Sequence, residues 1–167
     1  MIDKIIFIFV SIFGIGKLPK IPGSYASLFT ILFLFIVFHY FSLSVNIFLF
    51  IFIFLFIISI FLIDIYVKNF ENKDPNEIVI DEFIGQSIPI CLYELAHDNN
   101  SSKIEVLTFY FVMFILFRIF DITKPYPVNY YDKNFKNGFG VIMDDVIAGL
   151  YVVAIMVLFM VTKSTFF

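Results

Sequence analysis

Long apolar stretches separated by short polar ones organise this sequence. Each apolar stretch is a helix candidate, because a backbone in lipid must satisfy its own hydrogen bonds. The stretches are residues 2–16, 26–41, 47–67, 83–96, 104–120 and 146–162. The third and the last approach the ~20 residues that cross a bilayer. The pattern therefore predicts an all-α, polytopic integral membrane bundle with about four to six membrane segments.

Two pairs of neighbouring segments are spaced as helical hairpins, the second with the third and the fourth with the fifth. Gly85 and Pro89 interrupt the fourth segment, so we expect it to be broken, re-entrant or covered by its neighbours. If both hairpins run up and down, three polar stretches emerge on one side of the membrane. They are residues 14–24, 64–82 and 118–145.

Positive charge is concentrated on that same side. Eight of the eleven Lys and Arg residues lie there: Lys17, Lys20, Lys68, Lys73, Arg118, Lys124, Lys133 and Lys136. The other three are Lys4, Lys103 and Lys163. Because Lys and Arg are retained on the cytoplasmic side of a membrane, we expect the polar stretches to face the cytoplasm.

The composition supports a lipid-embedded chain and excludes other classes. Of the 167 residues, 61% are hydrophobic and only 15% are charged, against about 25% charged in an average soluble domain. The length suits one domain, residues 1–167. A net charge of -3 without a Lys/Arg cluster argues against a nucleic-acid partner. No obligate protein partner is implied, and the single Cys91 cannot form an internal disulfide.

Acidic residues mark the ends of three membrane segments. Asp81 and Glu82 precede the fourth, Asp121 follows the fifth, and Asp144 and Asp145 precede the sixth. Each adjacent pair alone is explained by the attraction of negative charge to a helix N-terminus. All five on one face form a dense negative cluster unless a cation neutralises it. A hard divalent ion bound by carboxylate oxygens, with positions open for water and phosphate, resolves this conflict.

Two cations accompany Asp121. Arg118 and Asp121 are three residues apart, so they share a helix face and can form an ordinary intrahelical ion pair. Lys124 precedes a proline, which predicts the end of the helix at that point. A planar cation, a carboxylate and a flexible cation around a helix end also suit a phosphate group.

A loop rich in Gly and Pro, residues 14–24, carries two lysines and leads into a helix that Ser24 is placed to cap. The loop is either a rigid turn between helices or a cradle of backbone and lysine groups for an anion. Residues 138–140, Gly-Phe-Gly, form either a close-approach turn or a simple loop.

Taken in order, four motifs resemble the phosphatidylglycerophosphatase A family. They are Gly14-x-Gly16-x-x-Pro19-x-x-Pro22-Gly23-Ser24; Asp81-Glu82-x-x-Gly85; Arg118-x-x-Asp121-x-x-Lys124-Pro125-x-Pro127 with Asp132; and Gly138-x-Gly140-x-x-x-Asp144-Asp145-x-x-Ala148-Gly149. The ordered set is specific although each motif alone is weak. The resemblance implies a magnesium-dependent enzyme of the bacterial cytoplasmic (inner) membrane that converts phosphatidylglycerophosphate to phosphatidylglycerol and phosphate. It also implies an all-helical fold in which short helices surround a central one.

The candidate residues then divide into two sets. The predicted ligands of Mg²⁺ are Asp81, Glu82, Asp121, Asp144 and Asp145. The predicted ligands of the substrate phosphate are Lys17, Lys20, Ser24, Arg118 and Lys124. Within these sets, Arg118 and Lys124 stabilise charge on the transferring phosphoryl group, and Asp81 or Asp145 is the candidate general base.

Three other functions stay open from the residues alone. A phosphatase of another lipid or isoprenoid phosphate fits the same cluster, since no residue visibly recognises a glycerol group. A small cation-transport protein would use membrane carboxylates as an ion path, although here they lie at segment ends. A membrane scaffold whose charged loops bind a partner is the third.

Overall fold

A computed structural model describes residues 2–68, 76–97, 102–135 and 137–166. All regular secondary structure in these ranges is helical, which confirms the predicted all-α class. The helices are α1 (Ile2–Val10), α2 (Pro22–His39), α3 (Val45–Val67), α4 (Ile80–Ala96), α5 (Lys103–Thr123), α6 (Val128–Asn134) and α7 (Gly138–Phe166), with a short 3₁₀ turn at Ile15–Lys17. Two lysines counted above on the polar side, Lys73 and Lys136, lie outside the described residues.

Four of the described helices are long and apolar enough to cross a membrane: α2, α3, α5 and residues Gly138–Lys163 of α7. This number is the lower end of the predicted range. The N-terminal apolar segment 2–16 is not one helix, because α1 has only nine residues and so spans about 14 Å. After α1 the chain turns, with positive φ angles at Ile12, Phe13 and Gly14.

The central helix of the bundle is α4. It packs against α2, α3, α5 and α7, and eleven of its 17 residues are buried. Pro89 lies inside α4 without ending it. Of the three predicted options for this segment, coverage by its neighbours is confirmed. The expected central helix is therefore confirmed. The helices around it, α2, α3, α5 and α7, are longer than α4, so the expectation that they are short is wrong.

The contact between α4 and α7 depends on two glycines. A side chain on Gly85 would place its Cβ 2.6 Å from the backbone oxygen of Asp145 and 2.8 Å from the Phe117 ring. Gly149 in turn lies against the carbonyl of Gly85, which loses its usual helical donor because residue 89 is proline. Small residues let two membrane helices approach closely. This approach brings the start of α4 next to Asp145.

The last helix begins earlier than its apolar segment. Because α7 starts at Gly138, residues 138–140 form its first turn. A Cβ on Gly138 or Gly140 would overlap the carbonyl of Ile60 or Phe135, so the close-approach alternative is confirmed and the simple loop is wrong. Asp64, at the end of α3, accepts a hydrogen bond from the Gly138 N–H at 2.5 Å and so satisfies one free donor of the helix start. Asp144 and Asp145 therefore lie in the second turn. The favourable effect of the helix dipole is confined to the first turn, so it does not explain this acidic pair.

A polar network joins three helices at the opposite end of α4. The Tyr110 hydroxyl donates a hydrogen bond to Glu94 Oε1 at 2.9 Å, and His39 Nε2 lies 3.3 Å from the same oxygen. Because Glu94 belongs to α4, Tyr110 to α5 and His39 to α2, this network connects the central helix to two neighbours. A carboxylate in apolar surroundings needs such partners.

Candidate active site

A cavity of about 970 Å³ opens at the end of the bundle where α2, α4 and α7 begin and α5 ends. Residues from all three predicted polar stretches line it, so the prediction that these stretches meet at one end is confirmed. The lining residues are Lys20, Ile21, Pro22, Gly23, Ser24, Asn76, Ile78, Asp81, Glu82, Arg118, Asp121, Ile122, Lys124, Asp132, Phe135, Gly140, Val141, Asp144 and Asp145.

Three of the five predicted metal ligands lie close enough to share one ion. Asp81, Glu82 and Asp145 each offer a carboxylate oxygen, and these oxygens all lie within 4.8 Å of one another. Asp81 and Asp145 are buried, at 8% and 3% exposure. Asp145 Oδ1 and Glu82 Oε2 are buried without a hydrogen-bond partner. Buried charged oxygens need a counter-charge, and a divalent cation with oxygen ligands fits this set.

The other two predicted metal ligands are paired with cations of the protein. Asp121 Oδ2 lies 2.7 Å from Arg118 Nη1, which confirms the expected ion pair across one turn of α5. Asp144 Oδ2 accepts a hydrogen bond from Lys124 Nζ at 2.8 Å. The structure therefore divides the acidic cluster into three carboxylates that face one another and two that are neutralised by neighbouring side chains.

Glu82 lies in the first turn of α4, outside the four membrane-spanning helices, and its Oε2 atom is buried. Burial raises the pKa of this carboxyl to about 7, although a side-chain hydrogen bond with Asp81 lowers it. The negative charge of Asp121 raises the pKa further, and the positive charge of Arg118 lowers it. Burial is therefore the main reason that the ionised form of Glu82 is unfavourable, and a bound cation would offset that cost.

Lys124 stands at the C-terminal end of α5, as its place before a proline predicted. Its backbone is left-handed, with φ of 43° and ψ of 58°. Burial lowers the pKa of Lys124, but the hydrogen bonds that it donates to Asp132 and Asp144, and their charges, raise the pKa above its ordinary value. Lys124 is therefore a cation with a defined place inside the cavity.

The two lysines of the first loop lie in different places. Lys20 lines the cavity, whereas the Lys17 ammonium lies over the Phe7 ring, 4.4 Å from its centroid. Ser24 also lines the cavity, but it does not cap α2, because that helix already starts at Pro22 and its N-cap residue is Ile21. Proline favours the first position of a helix, so the predicted cap is wrong by three residues.

Gly23 allows the first loop to approach the acidic cluster. A Cβ at this position would overlap Glu82 Oε1 and lie 3.2 Å from Arg118 Nη1. The same guanidinium nitrogen is 3.4 Å from Ser27 Oγ, where it donates a hydrogen bond. Because Gly23 has no side chain, the start of α2 can form one wall of the site. Ser27, on the same helix, helps to hold Arg118 in position.

Two residues that carried no predicted role are Asp132, in the site, and Gln86, one turn further along α4. Asp132 lines the cavity and accepts a hydrogen bond from Lys124 Nζ at 2.6 Å. Gln86 is fully buried one turn after Glu82, and neither atom of its amide has a hydrogen-bond partner. Asp132 appeared in the motif as one acidic residue among many. Gln86 is the one glutamine in the sequence. Its polar amide within an apolar segment is the sequence feature that could have drawn attention to it.

The fold and the cavity define an integral membrane protein whose buried carboxylates and cations face a site large enough for a phosphorylated head group. The phosphatidylglycerophosphatase A family model matches residues 8–160. The chain belongs to this family of phosphatases, as its motifs predicted.

Two bacterial relatives carry the same family name. The phosphatidylglycerophosphatase A of Haemophilus influenzae is 32% identical over 146 residues, which cover 86% of this chain and 81% of that protein. The Escherichia coli K12 protein of that name is 29% identical over 138 residues, covering 83% and 73%. A putative phosphatidylinositol-3-phosphatase of Bacteroides thetaiotaomicron is 44% identical over 81 residues, covering 47% and 45%. No solved structure matches this chain.

Proposed function

We propose that the chain hydrolyses phosphatidylglycerophosphate to phosphatidylglycerol and inorganic phosphate. Family membership supports the substrate, since the Haemophilus influenzae and Escherichia coli relatives are named for this activity. The observation that carries the chemistry is the cavity, in which three facing carboxylates lie beside Arg118 and Lys124 at one end of a membrane bundle. This arrangement suits a phosphate monoester presented at a lipid surface.

Asp81, Glu82 and Asp145 would hold Mg²⁺, with Asp121 and Asp144 beside them. When bound, Mg²⁺ lowers the pKa of a coordinated water and neutralises charge on the phosphate. The buried oxygens of Glu82 and Asp145 that have no partner support this assignment. Asp81 or Asp145 is our candidate for the general base that accepts a proton from the attacking water.

The cations of the cavity bind the phosphate and stabilise the charge that develops on it. Arg118 is held by Asp121 and Ser27, and Lys124 by Asp132 and Asp144. Both are therefore oriented before the substrate arrives, which favours stabilisation of a phosphoryl transition state. Lys20 and the Ser24 hydroxyl, at the start of α2, complete the proposed phosphate site.

The proposed location is the bacterial cytoplasmic membrane, with the cavity facing the cytoplasm. The four apolar helices support a multi-pass membrane protein, and the relatives are bacterial. The side is supported by Lys17, Lys20, Lys68, Arg118, Lys124 and Lys133, all in stretches at the cavity end.

Replacement of Lys20 with glutamine is expected to raise the KM for the lipid substrate by about tenfold, because a charge-assisted contact with phosphate is lost. The matched control is Lys17→Gln, which removes the same charge three residues earlier in the sequence, where the ammonium lies over the Phe7 ring. We expect the control to change KM by less than about twofold. Equal KM values for the two variants would remove Lys20 from the phosphate site.

The activity is tested by measuring inorganic phosphate released by the detergent-purified chain, with Mg²⁺ or with EDTA. The substrates are phosphatidylglycerophosphate, phosphatidic acid and phosphatidylinositol 3-phosphate, each in mixed micelles. We expect magnesium-dependent release from the first lipid at a rate at least about tenfold above the other two. Release that is unchanged in EDTA would refute the magnesium assignment.

The third substrate tests a second candidate function. A relative named as a putative phosphatidylinositol-3-phosphatase matches about half of this chain, so that lipid is the specific rival. Preferential release from phosphatidylinositol 3-phosphate would keep the site chemistry and replace the substrate. An absence of release from all three lipids would refute the phosphatase proposal and favour the transport or scaffold function.

A further inference from the structure

One lysine connects three helices around the mouth of the cavity. The Lys124 ammonium donates to Asp132 Oδ1 at 2.6 Å and to Asp144 Oδ2 at 2.8 Å. Asp144 belongs to α7 and Asp132 to the short helix α6, which packs on α7. Lys124 itself follows the last residue of α5. The position of the ammonium is therefore set by side chains from two other helices.

The two contacts leave Lys124 able to bind a third acceptor. An ammonium group carries three N–H donors, and the two carboxylates use two of them. Because all three side chains line the cavity, a phosphate oxygen in the cavity can take the remaining donor. Asp144 alone would hold Lys124 from one direction, and the second acceptor on α6 fixes the direction in which the free donor points.

The backbone at Lys124 also indicates a site that is held in place. A left-handed conformation is unfavourable for a residue with a side chain, and Lys124 adopts it with φ of 43°. Residues in such conformations persist where the surrounding structure determines them, and they are concentrated at functional sites. At Lys124 this conformation closes α5, since its N–H donates to the Phe120 carbonyl and a proline follows. The Asp132 side chain is 36% exposed, and an exposed ion pair alone stabilises little.

We propose that Asp132 is a positioning residue that holds the Lys124 ammonium at the point where it binds the substrate phosphate. This inference rests on the proposed phosphatase function and deepens it. Asp132 does not contact the reacting atoms in this scheme. It acts through Lys124, so its effect on catalysis requires the Lys124 ammonium to be present.

The test is a double-mutant cycle of Asp132→Asn and Lys124→Met, measured as kcat/KM for the lipid phosphate. A displaced cation costs about 10- to 100-fold in rate, so Asp132→Asn is expected to lower kcat/KM by that factor. In the Lys124→Met background the same change is expected to have less than about a twofold effect, because interacting residues are not additive. Asp132→Glu, which keeps the charge, is expected to restore at least about a third of the activity.

Two further measurements separate positioning from a structural role. In the first, inorganic phosphate is added to each protein and the rise in melting temperature is recorded. We expect a smaller rise for Asp132→Asn than for the unchanged chain. In the Lys124→Met background, Asp132→Asn should make no difference to this rise. Lys133→Gln, on the next residue of α6, is the control and should match the unchanged chain. The melting temperature without phosphate checks that each variant is folded.

The outcomes are distinguishable from failure of the proposed function. If the unchanged chain releases no phosphate, the phosphatase proposal fails and the phosphate-induced shift alone decides on Asp132. If the unchanged chain is active, the inference is overturned by either of two results: full activity in Asp132→Asn, or an equal loss from Asp132→Asn in both backgrounds. The second result would make Asp132 a structural residue of α6.

Discussion

Replacement of Asp145 with asparagine is expected to lower phosphate release by about 100-fold or more while the protein still folds. Asp145 is 3% exposed, and its Oδ1 has no hydrogen-bond partner. One of its carboxylate oxygens lies within 4.8 Å of a carboxylate oxygen of Asp81 and of one of Glu82. Asparagine has nearly the same shape but offers one neutral oxygen, which binds a hard divalent cation much less well than a carboxylate does.

Folding is expected to survive because the change removes a charge that is unfavourable in the absence of metal. Three carboxylates close together repel one another, so the melting temperature of Asp145→Asn in EDTA should equal or exceed that of the unchanged chain. The stabilisation produced by added Mg²⁺ should shrink, since a ligand stabilises the folded state in proportion to its binding free energy. Asp81→Asn is expected to behave in the same way.

Both properties are measured on one preparation, as phosphate release and as the rise in melting temperature with Mg²⁺. The control is Glu105→Gln, an exposed carboxylate in the capping box at the start of α5; glutamine preserves that cap. The control should match the unchanged chain in both measurements. Near-normal release by both Asp145→Asn and Asp81→Asn would refute the assignment of the metal site.

Replacement of Gly85 with valine is expected to destabilise the bundle and abolish most activity. The new side chain would meet the backbone of Asp145 and the Phe117 ring, and backbone cannot move aside as a flexible side chain can. Overpacking of this kind costs about 1–3 kcal/mol. Because the contact lies between α4 and α7, any separation moves Asp81 and Glu82 away from Asp145. We therefore expect a lower melting temperature and at least about a tenfold loss of phosphate release.

The matched control is Leu92→Val, on the same helix at a position that is 42% exposed. It also introduces valine into α4, but at an exposed position about two turns beyond Gly85, so it should change the melting temperature little. The two variants are compared by thermal unfolding in detergent and by phosphate release. If Gly85→Val had the same melting temperature and the same rate of phosphate release as Leu92→Val, the close approach of α4 and α7 would not be what assembles the site.

The order of the helices along the chain could be predicted, because the length and hydropathy of each apolar segment indicate a helix without reference to the other segments. Lipid compels a backbone to form helix, so the paired segments that became α2 with α3 and α4 with α5 were recognisable from length and hydropathy. The end of α5 before Pro125 followed from a steric rule. The errors fell at helix starts, at residues 14–24 and at Gly138, where contacts with other elements, such as Asp64 with the Gly138 N–H, decide the boundary.

The five acidic residues and the cations near them were also visible in the sequence by itself, since charges at the ends of apolar segments are costly without a reason. The division of these five residues into two groups was not visible. Only the tertiary structure showed that Asp81, Glu82 and Asp145 lie together, and that Asp121 and Asp144 form ion pairs with Arg118 and Lys124. Distances between residues far apart in the chain depend on how closely two helices pack, here through Gly85 and Gly149, and a pattern along one segment carries no measure of that distance.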